Sequence, residues 1–179
     1  MSAALIQIEK RSEFGFARTE CACAECAAHC RFVPGYLVPQ DLERMSQSLG
    51  YANLVRFAFE NLLASPGATV MSAVDGRVFR IPTIVPQRGA SGACKFLQRG
   101  ECRAHEVSPY GCAMFDAHQS NEEANRRSAR GLQEIAREWA GEPRSIYVCL
   151  WRMLDVAGLR AVAPELARLR IRESAQPAK

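Results

Sequence analysis

With 179 residues, 48% hydrophobic and 23% charged, the chain has the length and balance of one globular domain with a real core. A net charge of +4 is too small to argue by itself for nucleic acid, and thiolates holding a metal would lower it further. Residues 1–16 hold no apolar run of signal-peptide length, because Glu9, Lys10, Arg11 and Glu13 interrupt them. No window reaches the length of a membrane-spanning helix, so the expected setting is the reducing cytoplasm without a membrane partner.

The chain opens on a weakly apolar segment, 1–20, with Leu5, Ile6, Ile8, Phe14 and Phe16. That pattern suits a short strand or an ordered tail. Four thiols follow within ten residues: Cys21, Cys23, Cys26 and Cys30, at C-x-C-x₂-C-x₃-C spacing. We read this stretch as a ligand loop, closed by the turn signal Phe32-Val33-Pro34-Gly35.

Two helices are expected next. Pro39 suits a first turn, and Leu42, Met45 and Leu49 repeat at helical spacing before Gly50. A second helix from Asn53 to Leu63 places Leu54, Phe57, Ala58 and Leu62 on one face, and Ser65-Pro66-Gly67 ends it. These apolar stripes read as core rather than as a groove for a partner helix. Val70 to Ile81 predicts a hairpin turning at Asp75-Gly76. Pro82 and Pro86 then hold the chain extended, and residues 87–93 form a connector without phosphate-loop spacing.

Gly92 to Phe115 reads as irregular and carries three more thiols, Cys94, Cys102 and Cys112. Ser120 and Glu123 fit a capping box opening a long helix to Ala140. Its inward face is Leu132, Ile135, Ala136 and Trp139, and Arg126, Arg127, Arg130 and Arg137 lie largely opposite. Ser145 to Val156 is apolar nearly all round and long enough for a buried helix, although its first half also suits a strand. Pro164 opens a short last helix with Leu166 and Leu169, and 173–179 form a tail.

Clustered thiols in a reducing compartment point to metal more than to disulfides. The C-x₂-C pair Cys23 and Cys26 is common spacing for zinc and also occurs at iron–sulfur sites. Free cysteine often packs as a small apolar residue, but residues 21–30 offer little besides alanine to pack with. Cys94, Cys102 and Cys112 are spaced x₇ and x₉, too far apart for a zinc knuckle, and gain weight by completing a site begun by the first group. Seven thiols suit one four-coordinate site with spare thiols, or two sites sharing a ligand or using another donor. His29 and His105 are open as such donors. Cys149, in an apolar run, reads as a packing residue.

These motifs resemble the YkgJ-type cysteine-cluster family, which is described as zinc- or iron-chelating. A cysteine-dense cluster precedes Pro39-Gln40-Asp41-Leu42. Cys94-Lys95-Phe96-Leu97, Gly100-Glu101-Cys102 and, after nine residues, Cys112-Ala113-Met114-Phe115 follow. The likeness covers about residues 21–116. The adjacent Cys-Cys pair usual there is replaced by Cys26-x₃-Cys30, Ala113 stands for an arginine, and His105-Glu106 stands for an aromatic-Glu pair. The resemblance implies metal chelation and supplies no reaction. Some relatives with similar clusters are lysine methylases of flagellin, or are fused to them, which implies an iron–sulfur option.

The expected architecture is mainly α with a small β-hairpin. It is a single compact domain over 21–172, built around a cysteine-ligated metal centre. The metal ligands expected are Cys21, Cys23, Cys26, Cys30, Cys94, Cys102 and Cys112, with zinc or iron bound, an iron–sulfur cluster included. An iron–sulfur redox or methylase-like enzyme and a zinc-dependent nucleic-acid module are the alternatives. The first lacks a C-x₃-C-x₂-C signature or a glycine-rich cofactor motif. The second rests on the arginines of 126–137, which Glu122, Glu123, Glu134 and Glu138 balance.

Overall fold

The computed structural model describes residues 23–72, 74–141 and 145–167. Its frame is a long antiparallel hairpin, β1 (Leu62–Met71) with β2 (Val78–Pro86). Around it lie α1 (Ala24–Phe32), α2 (Pro39–Ser48), α3 (Leu54–Asn61), α5 (Asn121–Ala140) and α6 (Ile146–Val156). The second cysteine stretch threads between β2 and α5. It carries a two-residue ladder, β3 (Leu97–Gln98) with β4 (Glu101–Cys102), and the single-turn helix α4 (Tyr110–Ala113). A helical turn begins at Pro164. The segment 1–22, with Cys21 and the expected first strand or tail, lies outside the described residues, as do Leu169 and the tail at 173–179.

The hairpin is longer than its sequence signal, and the helix before it is shorter. Leu62 closes α3, its N–H reaching Ala58 O, and at once starts β1. Leu62 and Ala64 then face the core opposite Pro86 and Ile84. Helical spacing of Leu62 with Ala58 fits both readings, and cross-strand pairing decides between them. Ser65-Pro66-Gly67 therefore does not end a helix. It forms a bulge, with the register shifting between Ser65 and Ala68. Gly67 has φ +74°, and a Cβ there would stand 1.6 Å from Ile81 O, so the bulge needs glycine.

Two tryptophans fasten the long helices to this bulge. Trp139 Nε1 of α5 donates to Pro82 O, and Trp151 Nε1 of α6 donates to Ser65 O, both at 2.9 Å. Their rings meet edge to face, with centroids 5.4 Å apart. The fully buried Tyr147 hydroxyl donates to Leu37 O and accepts from Ile84 N–H. Helix α6 is amphipathic rather than buried all round. Tyr147, Val148, Leu150 and Leu154 face the core, while Ile146, Met153 and Val156 are exposed. Cys149 falls on the exposed side, so it does not pack in the core as its apolar neighbours suggested.

The site-bearing segments meet at Asp41. Its carboxylate is fully buried. Oδ2 accepts from Val38 N–H at 2.9 Å, at the start of α2, and from Tyr110 N–H at 2.7 Å, at the start of α4. Oδ1 pairs with the buried Arg44 guanidinium one turn on. Asp41→Ala strips these donors of their acceptor and leaves a buried cation. Removing one partner of such a pair costs about 3–5 kcal/mol, so urea titration is expected to show a loss of that size with α2 and α4 loosened together.

Candidate metal centre

The first cysteine group is helical, not a loop. Ala24, Ala27 and Ala28 favour helix, and no glycine or proline interrupts 24–32. Cys23 is the N-cap, and its Sγ accepts from Cys26 N–H at 3.4 Å. A sulfur at a helix N-terminus is favoured as thiolate by the helix dipole. Cys26 and Cys30 stand one turn apart along the helix. The exposed His118, in the segment between α4 and α5, completes a group with the first two. The donor atoms of Cys23, Cys26 and His118 all lie within 4.8 Å of one another. That arrangement can hold a metal ion.

Cys30 faces a different neighbourhood. With Cys26 it lines a cavity of about 240 Å³. Cys94, from the loop before β3, Cys102 at the end of β4, and Cys112 on α4 line the same cavity. His29 and His105 also border it, and the His29 ring stacks on Phe115 with centroids 4.2 Å apart. Thiols separated by about seventy residues thus share one wall. Cys149 does not belong to it.

Three backbone contacts hold α1 and the turn after it against the chain between Cys94 and Ala117. Cys94 N–H donates to Arg31 O at 2.7 Å. Gly35 N–H donates to Cys112 Sγ at 3.1 Å, and Ala117 N–H donates to Cys26 Sγ at 3.4 Å. Such N–H···S bonds stabilise negative charge on sulfur and are a usual outer shell of thiolate sites. The Gly35 contact depends on backbones touching. A Cβ on Gly35 would stand 2.0 Å from Gly111 C and 2.1 Å from Cys112 N.

Without a cation the buried thiols resist ionisation. Burial pushes the Cys94 thiol from the ordinary 9.0 up to about 12, and repulsion from Cys102 and Cys30 adds to it. Burial likewise raises Cys30, and raises Cys112 strongly, with Cys94 as its main charged neighbour. A metal would replace these protons, so binding should release them.

His118 was not legible as a donor. It lies six residues beyond Cys112, outside any short ligand motif, and reaches Cys23 only because the chain folds back after α4. Comparisons with protein-family models, with curated proteins and with solved structures gave no match for this chain.

The raised Cys94 value has a definite sign in stability. A thiol held neutral by the fold contributes fully below its unfolded value and loses that contribution as pH climbs through the folded one. Metal-free protein is therefore expected to lose stability between about pH 9 and 12. Denaturant titrations across that range should show a shallower decline in Cys94→Ala, whereas equal slopes would contradict the burial argument.

Proposed function

We propose that this protein is a metal-binding protein that chelates a soft ion, zinc or iron, through thiolates gathered from both cysteine stretches. The observation that carries this reading is the Cys23, Cys26 and His118 group, whose donors fall within 4.8 Å. Sulfur and imidazole donors suit zinc and iron and suit magnesium or calcium poorly. The cavity of Cys30, Cys94, Cys102 and Cys112 supports the same chemistry, and the ligand set proposed is these seven residues together with Cys21. The motif likeness to the YkgJ-type family points the same way.

In this reading the metal is structural or carried. It supplies charge that lets buried thiols ionise, and it ties α1 to the segment ending at α4. The arginines of α5 give little reason to prefer a nucleic-acid role. Arg126 and Arg127 pair with Glu123, and Arg137 pairs with Glu134, within the helix itself. No described helix is long and apolar enough to cross a membrane.

Protein purified anaerobically should carry zinc or iron on elemental analysis, and Cys26→Ser should lower that content. A strong chelator should lower the melting temperature, because binding free energy is shared with folding. Metal-free protein that takes up neither ion, with melting indifferent to chelator, would reject this function.

A further inference from the structure

We infer that a second cavity, on the outer face of the hairpin, binds a small amphipathic anion: a short aliphatic chain with a carboxylate or phosphate head. The inference goes beyond the metal reading, because no cysteine lines this cavity.

The cavity follows from the hairpin register. Leu62, Ala64 and Ile84 face the core, so Leu63 and Val85, paired across the strands, point to the opposite face. Both are only half-buried there. The turn after α1 brings Val33 and Pro34 against them, and the chain after α6 brings Leu159, Val162 and Pro164. That chain is fastened to the edge of β1. Ala64 N–H donates to Leu159 O and Ala161 N–H donates to Ala64 O, both at 2.8 Å. Between these segments lies a cavity of about 320 Å³, at the small end of the roughly 300–1,000 Å³ that small-molecule sites occupy. A volume of that size takes one short molecule.

The polar groups decide what fits. Among the described residues, two arginines, Arg88 and Arg160, and no acidic side chain line the cavity. Its other polar side chains are committed to the fold. Ser65 Oγ accepts from Gly67 N–H, and the Gln87 amide donates to Phe59 O and Leu62 O. Arg160 uses its Nε on Asp155, at 2.6 Å, which leaves its terminal nitrogens outside that pair. The Arg88 guanidinium has no ion pair or hydrogen bond among the described residues. Both arginines are exposed, whereas Pro86 and Ala167 in the same lining are buried. The cations therefore stand at the mouth and the apolar groups form the floor. A guanidinium fork matches the oxygens of carboxylate or phosphate. The aliphatic floor gains by covering a chain, at about 0.8 kcal/mol per buried methylene. Val33, Pro34, Val85, Pro86 and Pro164 also border the thiol cavity, so the two cavities share a wall.

Calorimetry on the full chain tests this with octanoate and octyl phosphate, each kept below its micelle concentration. We expect one molecule bound per chain for at least one of the two, with affinity falling as salt is added. The tighter of the two names the head. Acetate keeps a head without the chain, and octanol keeps the chain without a charge, so both should bind more weakly. Arg88→Gln and Arg160→Gln, at exposed positions, should each weaken the anion by about threefold to fivefold, as solvent-accessible charge pairs do. Val162→Glu, also at an exposed position, sets an anion in the lining and should abolish binding. Melting temperatures report that each variant is folded. No saturable binding of either probe, octanol binding as tightly as the anions, or affinities unmoved in all three variants would overturn the inference. Metal content is not at stake in any of these outcomes, so the metal reading stands or falls separately.

Discussion

The fold turns on one buried carboxylate. Asp41 gathers the first amide of α4, the residue before α2 and the Arg44 guanidinium onto two oxygens. Charge with no access to water must be compensated by donors in fixed positions, and these donors come from segments about seventy residues apart. Holding Tyr110 N–H fixes Gly111 and Cys112 directly after it. Gly35 can then lie against Gly111, and its amide can reach the Cys112 sulfur. The Tyr36 and Tyr110 hydroxyls extend the same joint outward by donating to Ser128 O and Arg127 O of α5. The joint between the two cysteine stretches is thus built from backbone and carboxylate, before any sulfur is considered.

Around this joint the electrostatics run against an empty site. Several thiols share an interior where burial disfavours thiolate and each anion would disfavour the next. The amides of Gly35 and Ala117 aim at sulfur and lower that cost without removing it. The same amides would stabilise the thiolates if a cation were bound there. Cys23 works differently. Its half-buried sulfur caps a helix whose dipole already favours negative charge.

Much of this was legible in the sequence, and the failures have physical causes. The caps and breaks of α2 and α5 were readable because Pro39, Gly50, Ser120 and Gly141 act locally. The hairpin turn at Asp75-Gly76 was local too, but strand length was not, since Leu62 to Ser65 become strand only by pairing with Thr83 to Pro86. The C-x-C-x₂-C-x₃-C spacing suits a ligand loop, whereas Ala24, Ala27 and Ala28 favour the helix that the stretch adopts. Cys23, Cys26, Cys30, Cys94, Cys102 and Cys112 were all singled out from spacing and composition. Which of them face one another depends on the Asp41 joint, whose role no short motif announces. His118 stayed hidden for the same reason.

Helix α1 shows what a metal would do here. The hydrophobic core is assembled from α2, α3, the hairpin, α4, α5, α6 and the loops around β3, and none of its described members comes from 24–32. A nine-residue helix is marginal in water on its own, and its alanine-rich sequence offers little surface to bury. Among the described contacts, α1 is attached through the Arg31 carbonyl, the His29 ring and the Cys26 sulfur, and the turn after it through the Cys112 sulfur. Two of these attachments strengthen when sulfur is ionised, so a bound cation reinforces them as well as adding its own bonds. The hydrophobic core is built without α1, so a cation bound to this helix would add its bonds to the docking of α1 rather than to the core. Local order in 24–32 is therefore where a bound metal would act on this fold, on the helix that carries Cys26 and Cys30 and is capped by Cys23.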